Sequence, residues 1–268
     1  MRFTLTFEIS AGDLLPLNYQ YEMSSWIYKV LHQADTEFAK FLHSKGYTLG
    51  ANKSFRLFTF SNLHLPRNQW KIIGDRIKLF CREISCTISF FIDEGAEKFI
   101  QGLFQNQIFQ LGDQITRVKM QVKQIEAKPV RVMRNTLRLR TKSPLVVARK
   151  EERSNGRSIA KYLSPNDEKY SHYFFKNLLE KYAAALGGDN NAHPLREEDL
   201  QFKLLSTTPK RKAIVIKAHT QAATKVIGYQ FDFELTAPVE LLEFGLQAGF
   251  GTGNSQGFGC CEGVTKDK

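Results

Sequence analysis

The sequence predicts an α+β chain built from two βαββαβ units in tandem. Three observations carry that expectation. Alternating and helical apolar patterns run in the order strand, helix, strands, helix, strand, and then repeat that order once more. A Lys128-Pro129 step separates the two runs, at a dipeptide that disfavours continued regular structure. With 42% hydrophobic residues among 268, each half has material for its own core. The duplication rests on element order alone, because no residue-level repeat accompanies it. The expected domains are 1–127 and 128–268.

In the first unit, residues 2–9 alternate as a half-buried strand and residues 14–19 read as a loop. SSWIYKVLHQA sets Ile27, Val30, Leu31 and Ala34 at helical spacing, with Ser24 or Ser25 as the expected cap. EFAKFLHSKG follows as a short helix with Phe38, Phe41 and Leu42 inward and Gly46 as its stop. Strands are expected at 55–61 and 77–92, the latter broken near Glu83, then a helix at 94–105 and one or two strands within 107–126. The second unit opens with a strand at 136–141. A polar, mobile loop is expected at 149–166, followed by a long helix at 168–186 that Gly187-Gly188 would end. Strands at 201–206, 212–218 and 226–235 precede a helix at 238–248, with Pro238 in its first turn. A short strand at 258–264 completes the unit.

Lys and Arg total 38 against 27 Asp and Glu, a net charge of +11. The excess is concentrated: residues 117–157 hold thirteen Lys/Arg and three Glu, while the remainder is nearly neutral. A basic cluster of this size points to a polyanion, nucleic acid before anionic lipid. A lipid-binding patch is expected on an amphipathic helix, and this stretch alternates like a strand. The candidate phosphate contacts are Arg131, Arg134, Arg138, Arg140 and Lys142, with Lys210, Arg211 and Lys212 on the later hairpin. Arg138 and Arg140 share a face if Leu137 and Leu139 point to a core. No apolar run approaches the roughly 18 residues of a spanning helix, so no membrane association is expected. MRFTLTFEIS has neither a basic leader nor a small-residue cleavage site, and a cytoplasmic location is expected.

Cys81, Cys86, Cys260 and Cys261 are separated by four residues or by none, a poor match to paired zinc ligands. They read as ordinary thiols of a reducing compartment, and no metal site is expected. Seven of the 18 glycines fall between Gly245 and Gly263. A dinucleotide-binding loop needs a strand before it and a full helix after it, and here a helix precedes and only a short tail follows. Phe250 and Phe258, each flanked by glycines, would anchor the two ends of the loop. Bare backbone N–H groups between such anchors suit a phosphate.

GFGTGNSQGFG resembles the glycine-rich signature of the CRISPR-associated repeat-processing endoribonucleases, a family of the RAMP superfamily. That signature places Gly-hydrophobic-Gly on either side of five residues, as Gly249-Phe250-Gly251 and Gly257-Phe258-Gly259 do. The resemblance continues through the MRF opening, WIYKVL, FLHSKG, RLFTFS, SPLVV and PKRKAIVIKAHT. One feature departs from it: Thr252, Gly253, Asn254, Ser255 and Gln256 include no Lys or Arg, where the family usually has one. The resemblance implies two ferredoxin-like domains, with the glycine loop (Gly249, Gly251, Gly253, Gly257, Gly259) against RNA. It implies cleavage of repeat RNA in precursor crRNA without a metal or other cofactor, by 2′-OH attack. The products would carry a 5′-hydroxyl and a 2′,3′-cyclic phosphate. An inactive repeat-binding subunit is the alternative, and other effector subunits or a second copy of the chain stay open as partners.

Metal-free cleavage of RNA needs a base for the 2′-OH, an acid for the leaving oxygen and positive charge for the phosphorane. By resemblance His43 inherits the general acid/base role and Tyr28 the tyrosine that accompanies it. Arg56 falls where some members carry a lysine that stabilises the transition state, and Lys53 is its nearest substitute. His32, four residues after Tyr28, is the rival histidine. His64, His172, His193 and His219 are expected to have no catalytic part.

Overall fold

The computed structural model describes residues 1–51, 53–152, 158–187 and 199–264. His193, Gly188 and positions 153–157 of the expected polar loop lie outside them.

Alternation makes the first sheet. In β1 (Arg2–Ala11), Phe3, Leu5 and Phe7 are buried while the residues between them are not. This strand is central, paired antiparallel with β3 (Glu83–Phe90) on one side and β4 (Arg117–Lys128) on the other. A short β2 (Phe58–Phe60) adds to β3, giving the order β2-β3-β1-β4, with Ile108–Gly112 as an extra edge on β4. Two helices cover one face, α1 (Gln20–Ala34) and α3 (Asp93–Gln105). They approach so closely that a Cβ on Gly102 would sit 1.9 Å from the Val30 carbonyl oxygen, so only glycine fits there. Between α1 and β2 lies the short α2 (Thr36–Ser44).

The second sheet repeats the arrangement. β5 (Thr136–Thr141) is central between β7 (Asp232–Thr236) and β8 (Cys261–Gly263), and β6 (Gln201–Leu204) pairs with β7. Its helices are α4 (Tyr170–Ala185) and α5 (Val239–Ala248). Both sheets thus place the first strand of their unit between the third and fourth, with the second at the edge. That is the ferredoxin-like order, and the chain has two such domains. Tyr170, Phe174, Phe175 and Leu178 of α4 pack with Leu139, Phe233 and Phe250 in the second core. Among the described residues no helix is long and apolar enough to cross a membrane. All four thiols are free and buried.

Five expectations change. Within the loop expected at 14–19, Leu14–Pro16 is a short strand paired antiparallel with Arg76–Leu79. The first helix starts at Gln20, so Ser24 and Ser25 lie inside it rather than at its cap. The strand expected at 55–61 breaks at Leu57, whose φ of 47° lies in the left-handed region. The strand expected at 226–235 divides at Phe231: Thr224–Gln230 pairs with Lys210–Ile216 in a separate hairpin, and β7 enters the main sheet. Within 149–166, Ala148–Glu152 pairs with Ser158–Tyr162 as a hairpin. Trp70–Ile73, paired with Arg76–Leu79, is a strand the sequence did not signal, because all four of its residues are exposed and no alternation marks it.

Candidate active site

Asp35 starts α2 by accepting a hydrogen bond from the Phe38 N–H at 2.9 Å, which holds its carboxyl below the ordinary range. Phe38, Ala39 and Leu42 face the core, which sends His43 out from the last turn. The imidazole meets the Tyr28 ring of α1 edge to face, with centroids 5.4 Å apart at 80°. Phe58 supports Tyr28 from behind at 5.6 Å. Burial pushes the Tyr28 phenol above its ordinary pKa, against the smaller pull of the Ser255 hydroxyl and the Arg56 guanidinium. At neutral pH Tyr28 is therefore a hydrogen-bond donor and not a ready base.

Arg56 arrives from the broken strand. Its neighbours Phe55 and Leu57 pack into the second core, so the kink turns the guanidinium back towards α2. There it donates to Ser54 Oγ at 2.6 Å, to the His43 carbonyl at 2.8 Å and to the Ser44 carbonyl at 3.3 Å. A cation at a helix C-terminus is favourably placed, and this one also fixes the backbone that carries His43. Lys53, considered as a substitute, is paired with Glu180 of α4 at 2.5 Å.

The glycine-rich turn reaches the same place from the second domain. Ser24 Oγ of α1 donates to the Ser255 carbonyl at 2.6 Å, and Thr59 Oγ1 donates to the Phe258 carbonyl at 3.0 Å. Inside the turn, Asn254 Nδ2 donates to the Phe250 and Phe258 carbonyls at 2.9 and 3.0 Å. Gly259, at φ +72°, would put a Cβ 1.8 Å from the Phe250 oxygen. Many backbone donors expected to be bare are already used: Phe250, Thr252, Gln256, Gly257 and Gly259 N–H groups all bond within the protein. Gly251 and Gly253 keep N–H groups with no acceptor among the described residues. Gly249, Gly251, Gly257 and Gly259, also expected at the RNA surface, are buried, against Thr59, Val146, Phe60 and Phe250 respectively. Their side-chain-free backbones are needed for packing.

Tyr28, His43 and Arg56 therefore line one cavity of about 670 Å³ with Gly251, Gly253 and Ser255. That size suits a ligand of a few ring systems. Lys181 and Lys217 also line it, and none of its described lining residues is Asp or Glu. Lys217 lies just past the hairpin strand and sits over the Tyr21 ring at 5.5 Å. A second cavity of about 620 Å³ shares Tyr28 and His43 and adds His32, Lys29 and Lys40. Nothing in the sequence singled out Lys181 or Lys217. Lys181 did leave a signal: it falls three residues after Leu178 and seven after Phe174, on the buried face of α4.

The basic strand goes elsewhere. Arg138 pairs with Glu234, Arg140 makes two bonds to Asp232 at 2.9 and 2.7 Å, and Lys142 pairs with Glu262 at 2.8 Å. Arg140 draws the Asp232 carboxyl below its ordinary range. Arg140 and Lys142 line a third cavity, about 460 Å³, with His64 and Gln230. Lys210 lies opposite Gln230, and Arg211 and Lys212 follow it on an exposed stretch of strand. That is the end of the hairpin far from Lys217, roughly 20 Å away along the strand. Arg131 and Arg134 are exposed in the segment between the two sheets. The cations expected to act with the glycine turn are thus divided, and only Arg56 of those named in advance lines the first cavity.

Two ferredoxin-like domains in tandem, with a glycine-rich turn near the end, define a RAMP-type protein. Two family descriptions match the chain, CRISPR-associated protein Cas6, N-terminal, over residues 14–126 and CRISPR associated protein Cas6, C-terminal, over 124–263. The chain belongs to the Cas6 family. It is 27% identical over 259 residues to the CRISPR-associated endoribonuclease Cas6 1 of Methanocaldococcus jannaschii, covering 97% of this chain and 91% of that one. It is 23% identical over 250 residues to the CRISPR-associated endoribonuclease-like protein Cas6nc of Pyrococcus horikoshii, covering 92% of each. A solved structure from a Cas6-related gene of Pyrococcus furiosus superposes with a TM-score of 0.82 at 23% identity, covering 100% and 99% of the two chains. That last likeness concerns the fold.

Proposed function

We propose that this protein is a metal-independent endoribonuclease that cuts CRISPR repeat RNA in precursor crRNA. One observation carries the reading: His43, Tyr28 and Arg56, from three separate segments, line one cavity with the glycine-rich turn, and none of its described lining residues is Asp or Glu. Membership of the Cas6 family supports the substrate. In the proposed reaction the 2′-oxygen attacks the adjacent phosphorus, a P–O2′ bond forms and the P–O5′ bond breaks. The proton leaves the 2′-OH and another reaches the 5′-oxygen, with His43 as the proton-transfer group. Tyr28, protonated at neutral pH, orients the 2′-oxygen by donating to it. Arg56, Lys217 and the free N–H groups of Gly251 and Gly253 face the charge that builds on the phosphorane.

The test is incubation with the cognate repeat RNA in excess EDTA, followed by mapping of both ends. A 5′-hydroxyl and a 2′,3′-cyclic phosphate are expected; absence of cleavage, or strict need for Mg²⁺, would overturn the proposal. A second reading, a repeat-binding protein without cleavage, is favoured by Arg56, three of whose five N–H donors are bonded to Ser54 and the α2 carbonyls. It predicts tight repeat binding, no cleavage, and no change on His43→Ala.

A further inference from the structure

Lys181 is the feature of the cavity that the proposed reaction does not use. It is 2% exposed, near the C-terminal end of α4, and its ammonium ends beneath the glycine-rich turn. Nζ donates to the Gly249 carbonyl at 2.5 Å, to the Gly251 carbonyl at 2.9 Å and to Asn254 Oδ1 at 2.7 Å. An ammonium has three N–H donors and no acceptor, so this set of three oxygens uses it completely. A neutral amine has two donors and a lone pair, and would leave one oxygen unmet. Asn254 passes the constraint on, because its amide nitrogen holds the Phe250 and Phe258 carbonyls, the two anchors of the turn. Gly251 and Asn254 themselves line the cavity with His43 and Tyr28.

We propose that Lys181 is the positioning residue of the glycine-rich turn, clamping it from below in its charged form and supplying the RNA site with the cation that residues 252–256 lack. The proposal rests on the cavity being the RNA site. Burial alone would strip the proton, pushing Lys181 down to about 7, and the Cys261 thiol of β8 pulls slightly the other way. Across the cavity stand His43, Tyr28, Arg56 and Lys217, and beside Lys181 on α4 is Glu180, tied to Lys53. A phosphate entering the cavity favours the ammonium, so RNA binding draws a proton onto Lys181 near pH 7.5.

This role separates from a merely structural one by sign. The folded-state pKa lies below that of the unfolded chain, so between about pH 7 and 10 the unfolded state holds the extra proton and Lys181 makes the fold more stable as pH rises. The clamp weakens over the same range, so repeat affinity falls while stability climbs.

The test compares wild type, Lys181→Met and Lys181→Arg for melting temperature, repeat affinity from pH 6.5 to 8.5, and proton uptake on binding measured calorimetrically in two buffers. Lys181→Met should bind the repeat about tenfold more weakly and take up less proton, since proton exchange at the other cavity groups is common to both proteins. Lys181→Arg, permanently charged, should hold affinity flat across the pH range. Hydrogen exchange at residues 249–259 without RNA should quicken at least tenfold in Lys181→Met, with the β1–β3 amides unchanged. Unchanged exchange in the turn, or unchanged affinity and proton uptake in both variants, overturns the proposal. Failure of wild type to bind the repeat would instead remove the RNA-cleaving reading, and the exchange data would still decide the clamp.

Discussion

The cations on and just after β5 and those of the first cavity teach opposite lessons about charge. Arg138, Arg140 and Lys142 belong to the most basic stretch of the sequence, yet each faces a carboxylate on a neighbouring strand. Arg56 and Lys181 are met instead by carbonyl, hydroxyl and amide oxygens, which satisfy the donors without cancelling the charge. Three cations of the basic stretch are thus met by carboxylates of the second sheet, whereas Arg56, Lys181 and Lys217 line a cavity with no Asp or Glu among its described residues. For anion binding, what faces a cation decides more than how many cations the sequence contains.

The largest effect that could break this contrast is expected at His43. His43→Ala should slow single-turnover cleavage by about 10²–10⁴-fold with repeat affinity nearly intact, since a proton-transfer group acts mainly in the transition state. His32→Ala, in the neighbouring cavity, is its control; a dead His32 variant beside an active His43 variant would move the chemistry to the second cavity. Next comes Arg56→Ala, expected to cost roughly 10²-fold in rate and to weaken binding as well, because a guanidinium attracts the phosphate before and during reaction. Tyr28→Phe keeps the ring against His43 and Phe58 and removes one donor, so a loss of about tenfold in rate is expected. The smallest effect is expected from Arg138→Ala with Arg140→Ala. If both bound phosphate freely, the salt slope of binding would flatten by about two units. Their carboxylate partners predict a change below one unit, measured by affinity from 50 to 300 mM salt or so, and a full two-unit change would erase the contrast.

Much of the architecture was legible because burial on one face leaves a period in the sequence. Phe3, Leu5 and Phe7 mark β1, and Leu137 and Leu139 mark β5 at its observed limits. Where neither face is deeply buried the period vanishes, as in Trp70–Ile73 and in the hairpin from Ala148 to Tyr162. The candidate site was read in a different way. His43, Tyr28 and Arg56 were named through resemblance, and no periodicity would have selected them. Lys181 was overlooked because a lysine in a helix ordinarily reads as solvated, although its register with Phe174 and Leu178 pointed inward. Arg138 and Arg140 were placed on the correct strand, but Glu234 and Asp232 lie more than ninety residues further along. Only the cross-strand register of β5 with β7 brings them together, and no local pattern encodes it.

The bond from Ser24 to the Ser255 carbonyl has a consequence for how the two halves of the chain depend on each other. It joins the helix that carries Tyr28 to the turn that roofs the cavity, across 231 residues of sequence. Neither half is therefore a portable module, and a chimera joining halves from two relatives would inherit a site only if this seam closed in register. Under the proposed function, cleavage becomes a gauge of docking: a substitution that loosens the seam would read out as lost activity with His43, Tyr28 and Arg56 all unchanged.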